Sequence, residues 1–363
     1  LSGSYHPIDV TVLISANDTS EFPYENYSTI VLSPSISMPG FPRMDLPLSA
    51  PPAVADVAGD SLAEIIAVGA NDSLYVVDAY GMTLPGFPVS LESFTTMAPV
   101  IADMNGNGQK EIVIINQSGT VFMVRPDGSV LFRLETGETF RGDAAVSNLD
   151  ADPELELVFG TYGNALHVLK LDSTEVDSFP VVFGQRIRHG VALADLDGDG
   201  IPEIIAGNED NELHALTATA DTLDGFPVIL TDAISAPPVV LQSGDTGYII
   251  VPQQDQKMII LDDEGTLLVS YETAGEVNYP AALADLDGDF IPDIIFTDSN
   301  GSLHAINLAG EVIGSFPTTL PTVPKTAPVL SNLDEDPEPE IVLGTESGYL
   351  EIINADGTIF ENF

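Results

Sequence analysis

The sequence predicts an all-β fold, a seven-bladed β-propeller of four-stranded blades, and three observations predict it. First, an acidic or amide residue closes each of seven similar stretches such as "APVIAD". It falls at Asp56, Asp103, Asn148, Asp195, Gln242, Asp285 and Asn332, at intervals of 47, 45, 47, 47, 43 and 47 residues. Self-similarity at such a period marks units that stack or close into a ring. Second, each unit carries four short apolar runs rich in Val and Ile and bounded by Gly, Asp and Asn, which is how strands are punctuated. Third, no stretch sustains a 3.6-residue period. Four strands per unit of about 46 residues match a propeller blade. A β-helix needs shorter rungs, and a string of sandwiches needs about twice the residues per unit.

The elements of a unit follow in a fixed order. The first run (PPAVAD, APVIAD, GVALAD, PAALAD, APVLSN) is the innermost strand. An acidic, Gly-rich loop joins it to the second (EIIAVG, EIVII, ELVFG, EIIAG, DIIFT, EIVLG). A polar turn leads to the third (SLYVVD, TVFMV, ALHVL, ELHAL, SLHAI, YLEII). A turn around Gly81, Gly128 or Gly357 opens the fourth, which often ends in Phe-Pro: Phe87-Pro88, Phe179-Pro180, Phe226-Pro227 and Phe316-Pro317. The seven units fill residues 49–363, and the last reaches its own fourth strand in "GTIFENF". Residues 1–48 form an N-terminal β-segment that echoes later strands. "SISMPGFPR" (35–43) matches "GMTLPGFPV" (81–89), and "VLISANDTS" (12–20) resembles "IAVGANDSL" (66–74). The alternative architecture is therefore an eight-bladed ring with an incomplete N-terminal blade. Spare strands of this kind serve closure or assembly, pairing with an exposed sheet edge on another copy.

Composition narrows the function. The chain has 363 residues, 56 Asp and Glu against 10 Lys and Arg, and a formal net charge of −46. A surface this acidic repels phosphate backbones and anionic lipid, so nucleic-acid and membrane-surface roles are not expected. No apolar run reaches the ~18–20 residues of a bilayer span, so no transmembrane segment is expected. Cys is absent, which removes disulfides and thiolate metal sites, and Trp is absent too. The chain starts at Leu1 without a signal-like stretch and reads as a trimmed mature product or a fragment. There is no G-x-S-x-G, Walker loop, H-E-x-x-H or dinucleotide fingerprint, so no catalysis is expected. Carboxylates are abundant enough to hide a catalytic pair, which leaves a polysaccharide lyase-like activity open.

The loop between the first and second strands carries the strongest motif. Blade four reads Asp195-Leu-Asp197-Gly-Asp199-Gly-Ile201-Pro-Glu203, and blade six Asp285-Leu-Asp287-Gly-Asp289-Phe-Ile291-Pro-Asp293. Oxygen side chains at positions 1, 3 and 5, a carbonyl at 7 and a carboxylate at 9 suit Ca²⁺, which takes 6–8 hard oxygen ligands in a flexible shell. The other blades grade downward. Blade seven offers Asn332, Asp334, Asp336 and Glu340 with the Glu338 carbonyl. Blade three offers Asn148, Asp150, Asp152 and Glu156 with the Glu154 carbonyl, and blade two Asp103, Asn105, Asn107 and Glu111 with that of Gln109. Blade one keeps Asp56, Asp60 and Glu64 but has Ala58 at position 3, and blade five has lost the pattern. Formal charges predict affinity falling from blades four and six through seven and three to two, about five Ca²⁺ sites in all. The remaining excess of acids is a solvated surface.

These "ADLDGDGIPEIIAG" loops in a seven-fold repeat resemble the FG-GAP/VCBS repeats of integrin-α-like propellers over residues 49–363. Their Phe-Gly/Gly-Ala-Pro signatures are reduced here to "SAPPAV", "MAPVIA" and "TAPVLS". The resemblance implies an extracellular or cell-surface, calcium-stabilised propeller, a scaffold that serves adhesion, lectin and lyase-associated roles alike.

A second site is expected at the channel mouth opposite the calcium loops. Seven residues before the reference positions stand Ser49, Thr96, Arg141, Arg188, Ser235, Asn278 and Lys325, so three of ten basic residues share one repeat position. His189 and Tyr279 come next. Arg141, Arg188, His189, Tyr279 and Lys325 are thus candidates to bind an anionic group such as a uronate. His167, His214 and His304, on third strands of separate blades, read as packing residues. Arg141-Gly142-Asp143 reads as a coincidental tripeptide, and Asn17, Asn26, Asn71, Asn116 and Asn300 head N-glycosylation sequons. The expectation is a structural or adhesive propeller, partnered by other copies of itself, surface proteins or acidic glycans. A glycan-binding or polysaccharide-cleaving propeller acting on an acidic saccharide is the alternative.

Overall fold

The computed structural model describes residues 47–360 except 151, 244–245 and 334–337. The N-terminal β-segment expected over 1–48 therefore lies outside the described residues but for its last two. Those two are tied to blade one, because Leu48 bridges Gly69 and the Ala70 amide donates to the Pro47 carbonyl at 2.8 Å.

The described residues are all-β and form seven antiparallel blades in chain order, each running first to last strand without crossover. Blade one comprises Ala53–Ala55, Glu64–Gly69, Ser73–Val77 and Val89–Ser90. Blade two comprises Val100–Ala102, Glu111–Ile115, Thr120–Val124 and Val130–Glu135. Blade four, representative of three and six, comprises Ala192–Ala194, Glu203–Gly207, Glu212–Leu216 and Val228–Ile229. First strands of successive blades adjoin one another from blade one through five and from six to seven, which places them innermost. The protein is a seven-bladed β-propeller.

Second and third strands are apolar on both faces because each blade is packed between two neighbours, so their runs are continuous rather than alternating. Blade one gives Ile66, Val68 and Leu74 to a cluster that blade two completes with Ile112, Ile114 and Phe122. Six such clusters join blades one to seven in sequence. Each buried Ile or Leu contributes about 1.5–3 kcal/mol. Among the described residues, none joins blade seven to blade one. Leu350 of blade seven is 55% exposed, although Leu74, Leu166, Leu213 and Leu303 at the same position are 0% exposed.

Two blades vary the plan. Blade five, which lacks the acidic motif, turns directly from Val239–Ser243 into an eight-residue second strand, Thr246–Gln253. Blade seven shows three strands among the described residues, Val329–Ser331, Glu340–Gly344 and Leu350–Ile353. Ile359 bridges Ile353 there, as Thr83 bridges Val77 in blade one six residues before that blade's fourth strand.

Candidate metal centres

Each acidic loop is a self-bonded knot of carboxylates and backbone amides. In blade four, Asp195 accepts from the Gly198 amide at 2.8 Å and the Gly200 amide at 2.9 Å. Asp197 accepts from Asp199, and Asp199 from Ile201 at 2.7 Å. Gly198 and Gly200 take φ of 78° and 90°, a left-handed region that glycine enters without strain. The turn gathers the acids: one oxygen each from Asp195, Asp197 and Asp199 lie within 4.8 Å of one another. Blade six repeats this with Asp285, Asp287 and Asp289, and blade three with Asp150, Asp152 and Glu156. Ile201 and Ile291, expected to add a carbonyl, are 37% and 42% exposed.

The ninth position has a second role. Glu203 is 2% exposed, and its Oε2 accepts the Leu196 amide at 2.8 Å. The same bond recurs as Glu64 to Val57, Glu111 to Met104, Glu156 to Leu149, Asp293 to Leu286 and Glu340 to Leu333. The residue so held, at position two, is an apolar plug: Val57, Met104, Leu149, Leu196 and Leu286 are all buried in inter-blade clusters. Position two was not singled out from the sequence, although its apolar register was there to read.

The donor set fits a hard divalent cation. Burial and neighbouring carboxylates push the Asp293 carboxyl up to about 6, and burial raises Glu203 and Glu156 as well. Glu156 Oε1 is buried without a hydrogen-bond partner. Beside blade four a cleft of about 750 Å³ adds Asp224, Asp263 and Glu264 to Asp195 and Asp197 along its lining. A cation near the loops would offset this burial and repulsion.

Formal charge does not set the whole order. Lys170, on the third strand's end in blade three, places its Nζ 2.7 Å from Asp150 and 3.6 Å from Asp152. That ammonium holds Asp150 below its usual range and already neutralises part of the loop. Asn148 turns its amide to the Asp152 carbonyl. In blade two Asn105 donates to Glu111 Oε1 at 2.9 Å and the Asn107 side chain accepts from the Gln109 amide. Asp103 accepts from Asn107 and Gly108. Asp334 and Asp336 of blade seven lie outside the described residues. Of the three clustered loops, that of blade three is thus the one already partly neutralised by a lysine.

The mouth residues sit at the opposite sheet ends. The Ser49, Ser235 and Lys325 amides bond to Val68, Pro252 and Gly344, all at the far ends of second strands. The structure splits the five candidates into separate groups. Arg141 lies with its guanidinium carbon 5.7 Å from the Tyr162 ring centre, and Arg186, which sequence reasoning passed over, 4.9 Å from the same ring. Glu209 pairs with Arg186 and stands 3.9 Å from Arg188. Lys325 faces Glu346 at 3.8 Å and lines a small pocket with Asn278 and Tyr279, whose hydroxyl is raised by burial. His189 adds no charge, because burial and the adjacent Arg188 lower it to about 4.

The other three histidines among the described residues pack as expected. His167 and His304 stack on Phe159 and Phe296 at 5.0 Å, His214 tilts against Phe183, and each meets its own carboxylate, Glu175, Asp298 or Glu212. Gly142 of the Arg-Gly-Asp triplet is packed so closely that a Cβ would fall 2.6 Å from the His189 carbonyl. Asn116 is buried and donates to the Leu91 carbonyl, which closes that sequon to a glycan.

No known family's sequence pattern matches the chain, and no curated protein matches it. Solved structures do. BBS1N, crystallised in complex with ARL6DN, is similar at 13% identity and a TM-score of 0.60, over 88% of this chain and 94% of that one. BamB from Moraxella catarrhalis is similar at 16% identity and a TM-score of 0.58, over 84% of both chains. The computationally designed Ika8 protein is similar at 14% identity and a TM-score of 0.63, over 87% of this chain and 86% of that one. These likenesses show the propeller fold. Among the described residues, no helix is long and apolar enough to cross a membrane.

Proposed function

We propose that this chain is a calcium-stabilised propeller of the FG-GAP/VCBS kind, acting outside the cell or on its surface as a structural or adhesive scaffold. The observation that carries the reading is the clustering of three carboxylates within the first loop of blades three, four and six, at the same positions in blades four and six. Asp195, Asp197, Asp199 and Glu203, and Asp285, Asp287, Asp289 and Asp293, would hold the ions, which supply the positive charge the loops lack. Solvent-exposed loops of this kind bind weakly, in the range of about 10⁻⁴–10⁻³ M that suits extracellular calcium. Calorimetric titration of metal-free protein with Ca²⁺ tests it: two dominant sites are expected, and their abolition by Asp197→Asn with Asp287→Asn. Absence of any calcium heat, with melting unchanged in excess chelator, refutes it.

A second reading rests on the shared approach of Arg141 and Arg186 to Tyr162, with Arg188 close by. In a chain of charge −46 this is a concentrated cationic surface, and guanidinium forks match carboxylates well. It favours an acidic saccharide at the mouth. Titration with an oligouronate, repeated with Arg186→Ala and Arg141→Ala, separates this reading from a purely structural propeller.

A further inference from the structure

His167, on the third strand of blade three, uses only one of its ring nitrogens. Its Nδ1 lies 2.6 Å from Glu175 Oε1, and the other oxygen of Glu175 accepts the Val168 amide at 3.2 Å. A carboxylate so placed accepts the Nδ1 proton and leaves Nε2 with a lone pair. That Nε2 is buried without a hydrogen-bond partner, on a residue only 7% exposed. The third-strand histidines of blades four and six differ. His214 Nε2 meets Glu212 at 3.2 Å, and His304 Nε2 meets Asp298 at 3.3 Å. Blade three has Thr161 in the place of Asp298, six residues before its histidine. A buried polar atom left bare in this way calls for a partner.

We propose that His167 and Glu138 form a binding site for a divalent transition metal of the zinc class, separate from the acidic loops. Glu138 lies between the fourth strand of blade two and the first strand of blade three. Its Oε2 accepts the Thr161 hydroxyl and stands 3.7 Å from His167 Nε2. That is too far for a hydrogen bond, but it suits two ligands of one ion. With Zn–N of about 2.05 Å and Zn–O of about 2.1 Å, the angle at the metal is about 125°. Glu175 then takes the place of the outer carboxylate that orients a metal-bound imidazole. Glu138 is held from both blades. Its amide donates to Thr136 Oγ1 at 3.2 Å, and the next carbonyl, of Thr139, accepts the Tyr162 amide at 2.9 Å. Its carboxyl also rests on Gly163, where a Cβ would fall 2.3 Å from the carboxyl carbon. The Glu138 side chain is 30% exposed, so an ion can enter on that side and keep water in its remaining positions. Imidazole nitrogen suits zinc, copper or nickel, whereas calcium takes oxygen ligands. The site therefore stands or falls independently of calcium at the loops.

The chain has no Cys to compete for zinc. Full-length protein, ¹⁵N-labelled at histidine, is titrated with Zn²⁺ in excess Ca²⁺, and long-range ¹H–¹⁵N spectra report the ring nitrogens. His167→Gln assigns the His167 signals, and unchanged His214 and His304 signals show that a variant is folded. Zn²⁺ is expected to move the His167 Nε2 resonance saturably while Nδ1 keeps its proton. Glu138→Gln, which can still accept the Thr161 hydroxyl, should weaken zinc at least tenfold. Gly163→Ala, which displaces the Glu138 carboxyl and removes no ligand, should do the same. Glu175→Gln should weaken it by about 10- to 100-fold. Zinc that moves no ring nitrogen, or only those of other histidines, overturns the site. A resonance that moves on acidification but not with Zn²⁺ reports protonation alone and overturns it too. Undiminished zinc affinity in both Glu138→Gln and Gly163→Ala refutes the role of Glu138.

Discussion

Replacing Asp293 by Asn separates two roles that one carboxylate plays in the blade-six loop. Asp293 is 2% exposed, and its Oδ2 accepts the Leu286 amide at 2.9 Å. An Asn oxygen keeps that bond. Without calcium, burial and then Asp287, Asp289 and Asp285 raise the carboxyl from 3.8 to about 6. The unfolded carboxyl ionises first as pH rises, so the folded state loses stability from about pH 4 through 6, and the full penalty stands at pH 7. Two units correspond to about 3 kcal/mol, and solvent screening at an open loop lowers this to roughly 2 kcal/mol.

In chelator at pH 7, Asp293→Asn is therefore more stable than the wild type by about 2 kcal/mol, on the order of 4 °C in melting temperature. The advantage vanishes near pH 4. In calcium at a hundred times the dissociation constant, about 10–100 mM for sites of this affinity, the order reverses, because the wild type gains about 2.7 kcal/mol and the variant gains less. Thermal melts at pH 4, 5.5 and 7, with calcium and with chelator, give the six numbers needed. A variant less stable than the wild type in chelator at pH 7 refutes the electrostatic argument. An equal difference with and without calcium refutes the metal assignment.

Lys170→Ala removes the ammonium from Asp150 and Asp152, so calorimetry should find one more calcium site than in the wild type. Phe290 is 93% exposed at φ 67°, where blade four has Gly200. Phe290→Gly should therefore raise stability in urea melts by about 1 kcal/mol. His189 is held neutral in the folded protein down to about pH 4, whereas the unfolded imidazole protonates near 6.5. Stability is thus lost as pH falls across that window, by about 3 kcal/mol. His189→Gln should flatten the acid limb between pH 6.5 and 4, read from urea midpoints.

The blades were legible because their signals are local. A repeat period, four runs and a turn residue can be counted along the chain, and the loss of acids at Gln242–Asp245 marked the blade that lacks the loop. The acidic loops were legible for the same reason, since all ligands fall within nine residues. What escaped the sequence was long-range. Lys170 lies 20 residues from Asp150 and reaches it only because the third strand returns beside the loop. Arg186 stands two residues before the expected mouth position, yet joins Arg141 over Tyr162 across two blades. His189 carries a basic residue's name, but burial beside Arg188 takes its charge away. Spacing arguments see neither strand return nor desolvation.

Coupling between the loops and the ring follows from the residue at position two. Leu196 is 7% exposed and packs with Ile205, Phe226 and Ile249, so it belongs to the core that joins blade four to blade five. Its amide is fixed by Glu203, and the acids on either side of it are Asp195 and Asp197. Repulsion that opens the loop would pull this plug outward, at a cost in buried area of about 1.5–3 kcal/mol for a Leu. A cation that draws the carboxylates together would hold the plug in. Blade five shows the metal-independent solution, a direct hairpin between Ser243 and Thr246 with no plug to lose. Calcium is thus expected to act on global stability rather than on loop order alone, and Leu196→Ala should lower the melting temperature while shrinking the further loss caused by chelator. A chelator effect of undiminished size in that variant would mean that the loops and the inter-blade cores are not coupled.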